Sequence, residues 1–169
     1  MQKFNISWQT LFIALQIALT SFFSYVLGFY ATSTTHVESA RIGGLWAMIS
    51  GVIVLQATRR ETMASASLRI LGTAIGSVIS AIYLLLFPFN AVSIGICVFI
   101  VVFVCHFVRI PDHARLAALT AGIVMVTASL NPSISSNVNA ALRFSEACIG
   151  TAVAMFAILI WGKNYESAD

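Results

Sequence analysis

Two nine-residue stretches, LRILGTAIG (Leu68 to Gly76) and LRFSEACIG (Leu142 to Gly150), each place an arginine seven residues before a glycine at the start of a long apolar run. A guanidinium is permanently charged and presents a planar fork of donors, which suits it to a carboxylate ligand. Arg143 has Glu146 three residues on, hence on the same helical face and able to neutralise it. Gly72 stands at the matching place after Arg69, so Arg69 lacks such a partner and is the better match for a carboxylate brought from outside. Both residues have a second reading. Arg69 near a helix end could snorkel to the headgroups as an anchor. Arg143 with Glu146 could be a self-satisfied pair that holds the fold, or an outer gate whose carboxylate titrates.

Arg41, Arg115, Trp46 and Gln56 complete the set of side chains that could line a pathway. Trp46, Gln56 and Thr58 fall on the second apolar run and Thr120 and Thr127 on the fifth. Their polar atoms need partners in a bilayer, either along a pathway or between helices. Arg41 with Glu38 also reads as a solvated loop pair. The glycines and small residues, Gly72, Gly76 and Ser80 among them, recur every four residues and read as packing stripes that let helices approach closely. His106, Asp112 and His113 in HFVRIPDHAR match no metal-ligand spacing and read as a basic loop with a proline turn. There is no glycine-rich phosphate loop and no nucleophile elbow. The expectation is therefore no enzyme, no metal and no cofactor. Cys97, Cys105 and Cys148 lie in apolar runs without paired spacing and read as small hydrophobes.

The elements that must position these residues follow from composition. Hydrophobic residues make up 59% of the 169 and charged ones only 9%, and the mean hydropathy is +0.94, so the chain is a polytopic membrane protein. The net charge of +3 is spread between apolar runs rather than gathered in a stripe, which argues against nucleic-acid binding. A bilayer core needs roughly 20 apolar residues at about 1.5 Å each. That ruler marks six runs, at about 9–31, 43–58, 64–87, 91–108, 115–131 and 140–162, of which the second and fifth are short. Short runs suggest helices that begin or end inside protein. The first run is too long for a signal peptide and has no clean cleavage pattern, so it is a span. Lys3, Arg59, Arg60, Arg69, Arg109, Arg115 and Lys163 fall on one side, with only Arg41 and Arg143 on the other. Lys and Arg mark the inner face, so both termini are expected to be cytoplasmic in an inner (plasma) membrane protein.

A shift of 74 positions lays RIGGLWAMISGVIVLQ (Arg41 to Gln56) on RLAALTAGIVMVTASL (Arg115 to Leu130), and the same shift pairs Arg69 with Arg143 and Gly76 with Gly150. That is an internal duplication, with halves 1–88 and 89–169. Three spans per half is odd, so the second half must insert the other way up. The expected fold is all-α, a single membrane domain of six transmembrane helices arranged as two inverted three-helix repeats, with a pathway where the halves meet.

The run LWAMISGVIVLQATRRETMASASLRILGTAIGS, with the later RLAALTAGIVMV and RFSEACIGTAVA, resembles the membrane half of the aromatic acid exporter and fusaric acid resistance (FUSC-like) family. Plant aluminium-activated malate channels are more distantly similar. The resemblance covers nearly all of the chain, and its most specific parts are VIVLQ with LRILGT and the RLAALTA block. It implies a module that moves organic anions out of the cytoplasm. Members usually carry a cytoplasmic domain or a second membrane half, so a minimal version is expected here, its pathway completed by a partner copy. A homo-oligomer, with a dimer favoured, follows. The alternative is a non-transporting membrane scaffold or lipid-organising protein.

Overall fold

The structure, a computed structural model, describes residues 8–161. Lys3, Lys163 and both termini, on which the orientation reading leans, lie outside the described residues. Six α-helices follow one another: α1 (Trp8–Ser33), α2 (Ala40–Val54), α3 (Arg59–Leu86), α4 (Ala91–Phe107), α5 (Ala114–Leu130) and α6 (Ser136–Trp161). A single 3₁₀ turn precedes α2 (Val37–Ser39) and another precedes α5 (Pro111–His113). With those turns counted, five helical segments are long and apolar enough to cross a membrane, and α4, at 17 residues, falls just short.

Local chemistry sets the boundaries. Residues 59–63, left between the second and third expected runs, are the start of α3 instead. Thr58 Oγ1 accepts from Glu61 N (3.2 Å) while the Glu61 carboxylate accepts from Thr58 N (3.3 Å), a reciprocal cap that carries the helix out through its charged residues. Asn90 Oδ1 caps α4 by accepting from Ser93 N at 2.8 Å. Leu55 turns extended and ends α2, so Gln56 and Thr58 are not on the second span as expected.

Close contacts fix the helix directions. Ser24 lies beside Gly51 and Thr32 beside Gly43, which makes α1 and α2 antiparallel. Gly43 meets Glu146 while Gly51 meets Gly150, so α2 and α6 run parallel. Gly72 meets His113 and Leu116 while Gly76 meets Ala117 and Thr120, so α3 and α5 run parallel. Ser50 bonds Arg69 and Ile53 bonds Ser65, so α2 and α3 are antiparallel. It follows that α2 and α5 point in opposite directions. The long helices α3 and α6 pack on each other at the centre, with α1 and α2 on the α6 side and α4 and α5 on the α3 side.

Both hairpins are recessed. His113 O lies beside Gly72, 13 residues or ~20 Å along α3 from Arg59. Gly43 lies beside Glu146, 10 residues or ~15 Å along α6 from Ser136. The second and fifth helices, with 15 and 17 residues, are short because each begins level with the interior of a longer neighbour. Cys97, Val101 and Cys105 of α4 share one apolar cluster with Ala117, Ala121 and Met125 of α5. Phe99, Phe103 and Phe107 stack along the outer, exposed side of α4.

Candidate functional site

Arg69 lies 10 residues into α3, ~15 Å from its first residue, deeper than the expected run from about 64 would put it. Its side chain is 0% exposed, so it does not snorkel. The guanidinium folds across to α2, where Nε (3.1 Å) and Nη2 (2.8 Å) both donate to Ser50 Oγ. Ser50 in turn donates to Trp46 O at 2.8 Å. The carbon of the guanidinium stands 4.5 Å from the centre of the Trp46 ring, a cation–π contact in a water-poor setting. Nη1 is buried and has no partner. Among the described residues no carboxylate is paired with this cation.

The second cluster is built on α6. Arg143 Nη1 and Glu146 Oε2 are 3.0 Å apart, and both residues are buried. The approach is oblique, so the two attract as charges without a linear hydrogen bond, and Arg143 Nε is unpaired as well. Glu146 Oε1 accepts from Thr32 Oγ1 of α1 at 2.7 Å. Gly43 of α2 leaves the room for both groups, since a side chain there would meet the Thr32 hydroxyl and the Glu146 carboxylate. Trp46 joins the clusters: its ring lies against Arg69 while its Nε1 donates to Arg143 O at 3.1 Å.

Together these residues bury two guanidinium groups and one carboxylate, a surplus of one positive charge inside apolar helices. A buried charge without a counter-charge is costly unless a partner arrives. The chemistry available is therefore recognition of an anion rather than bond making.

Of the residues expected at the site, Arg69, Arg143, Glu146 and Trp46 come together. Arg41 and Arg115 do not, because both are exposed near the starts of α2 and α5. Gln56 is exposed beyond α2, where its backbone N–H donates to Thr62 Oγ1 and its amide to Ile53 O. Thr120 and Thr127 are satisfied within the bundle, Thr127 donating to Asn139 Oδ1 at 3.0 Å. Glu38 is exposed. The cysteines are free, two buried and one half-buried. Among the described residues no cluster of His, Cys, Asp or Glu could hold a metal. Ser50 and Thr32 were missed. The visible signal for Thr32 was the four-residue polar spacing Gln16, Thr20, Ser24, Gly28, Thr32 on α1, all buried. Clefts of about 850, 380 and 200 Å³ lie along the bundle, and neither arginine lines them.

Helices of membrane-crossing length packed around buried ionised groups define a multi-pass helical membrane protein. A family model described as fusaric acid resistance protein-like matches residues 17–157, and the chain belongs to that family. Membership ties it to a role related to membrane transport. No curated protein and no solved structure matches it.

Proposed function

We propose that the protein moves organic anions, aromatic acids among them, outward across the inner membrane as an exporter or channel, with Arg69 receiving the carboxylate. One observation carries this reading: Arg69 is a fully buried cation with an unpartnered nitrogen and no carboxylate of its own, whereas Arg143 has Glu146. Two inverted repeats, 1–88 and 89–169, frame the pathway. Support for the inversion comes from the helix directions and from the two 3₁₀ turns, Val37–Ser39 and Pro111–His113, which stand 74 residues apart as the sequence repeat does. Both termini are cytoplasmic, and the working unit is a homo-oligomer, a dimer by preference.

The test is carboxylate flux in liposomes beside folded yield. Arg69→Gln keeps a bond to Ser50 but removes a charge-assisted contact worth about 1.5–3 kcal/mol, so flux should fall roughly ten- to a hundred-fold. Arg69→Lys should recover only part of it, since the planar fork is lost. Wild-type flux from Arg69→Gln at equal yield would overturn the assignment and leave Arg69 as a folding residue.

A further inference from the structure

Hydroxyls inside the helices of this protein ordinarily bond back to their own backbone: Ser21 to Ile17 O, Ser50 to Trp46 O, Ser80 to Gly76 O, Thr120 to Leu116 O and Thr127 to Ile123 O. Thr20 and Ser24 of α1, Ser77 of α3 and Thr151 of α6 do not. Each is buried, and the Oγ of each has no partner. One turn below Thr20, the Gln16 amide nitrogen is orphaned in the same way. Gln16, Thr20 and Ser24 follow one seam between α1 and its neighbours α2 and α6, spaced about 6 Å apart along α1. Side chains held away from a backbone partner in a dry apolar wall leave hydrogen bonds unmade, whereas waters in the seam satisfy them.

The seam has a mouth and a blind end. Gln16 and Gln56 line the cleft of about 200 Å³ at the α2–α3 end of the bundle, room for several waters. At the other end Gly28, Ala47 and Gly150 bring three helices into backbone contact just past Ser24. Beyond that collar stands Glu146, bonded to Thr32, the next-to-last residue of α1, and so beside the α1–α2 tip. The groups facing Glu146 are Arg143 on its own helix, Thr32 on α1, and Gly43 on α2. Arg69 of α3 is held on Ser50 and Trp46, and Arg41 and Arg115 are exposed.

We propose that the α1–α2–α6 seam is a water-filled half-channel through which protons enter at Gln16, pass Thr20 and Ser24, and reach the Glu146 carboxylate when the glycine collar parts. The proton leaves bulk water, moves along the file and forms an O–H bond at the carboxylate, to be released at the α1–α2 tip.

Proton flux into liposomes carrying the full chain and a trapped pH dye, with no organic anion present, tests this apart from the anion reading. Wild type should exceed protein-free vesicles. Gln16→Leu, Thr20→Val and Ser24→Ala should each slow flux roughly fivefold, the factor equivalent to about 1 kcal/mol, and the triple variant and Glu146→Gln should fall to the protein-free rate. Thr20→Ser, which keeps the hydroxyl, should stay near wild type. A wild-type rate from the triple variant or from Glu146→Gln, or no flux from wild type, overturns the proposal. If the triple variant fails to fold, silver-ion protection decides. With the native cysteines replaced by alanine, Ser24→Cys should be blocked by silver in intact vesicles and the lipid-facing Leu27→Cys should not. Equal behaviour of the two thiols overturns the half-channel.

Discussion

Separating the two partners of the α6 ion pair should have unequal consequences. Glu146→Gln leaves the Arg143 guanidinium buried, 1% exposed, with no counter-charge and with Nε already unpaired. A guanidinium keeps its proton, so the whole penalty stands, and removing one member of a buried pair costs about 3–5 kcal/mol. For a chain of this size that lowers Tm by roughly 10 °C. Arg143→Met leaves Glu146 with the bond donated by Thr32 at 2.7 Å. A carboxyl group can also exist neutral, so the expected loss is smaller, about 1–3 kcal/mol. The double variant Arg143→Met/Glu146→Gln leaves no charge behind and should be more stable than Glu146→Gln alone. Thermal unfolding of the four proteins in one detergent at one pH measures the cycle. A double variant destabilised by the full sum of the two singles would show that the two charges do not stabilise each other.

Three shorter expectations test the packing and the topology. Gly76→Ala drives a methyl into the backbone of Ala117, whereas Gly122 has open space around it, so melting should show Gly76→Ala destabilised and Gly122→Ala up to about 1 kcal/mol more stable. Thr58→Ala removes the cap of α3 and should lower stability by about 1 kcal/mol in the same assay. A cysteine at Ser133, between α5 and α6, should react with an impermeant thiol reagent from the outside, while one at Arg60 should react only after the membrane is opened. Labelling of both from one side would end the reading of opposed loops.

The helices were legible because apolar length is a direct measure of a span and because turn residues separate the runs. The Arg143–Glu146 pair was legible for the same kind of reason, since three residues along one helix set its geometry without tertiary help. The start of α3 was misplaced because Arg59, Arg60 and Glu61 look like a polar connection until the reciprocal bonds of Thr58 and Glu61 are considered. Gln56 was misplaced because hydropathy runs smoothly through Leu55, whose extended backbone is what stops α2. Ser50 was invisible as the partner of Arg69 because it lies 19 residues away on another helix, and Thr32 lies 114 residues from Glu146. Contacts of that kind depend on how the bundle closes, which no local spacing encodes.

The proposed 74-residue repeat breaks down around the two arginines. Gly43 of α2 leaves the opening that Thr32 and the Glu146 carboxylate fill beside Arg143. The residue 74 positions on from Gly43 is Ala117, and the residue matching Glu146 is Gly72. Around Gly72 the space is closed: a Cβ there would stand 2.9 Å from Leu116 Cβ and 3.1 Å from His113 O. A ligand carboxylate that met Arg69 as Glu146 meets Arg143 would therefore displace the start of α5 and would face the carbonyl of His113, which repels it. Binding at Arg69 thus requires α5 to draw back from α3. The turn that joins α4 to α5 carries a left-handed backbone at Arg109 (φ 64°). If Arg69 receives a carboxylate as proposed, the anion's own charge must favour that withdrawal of α5.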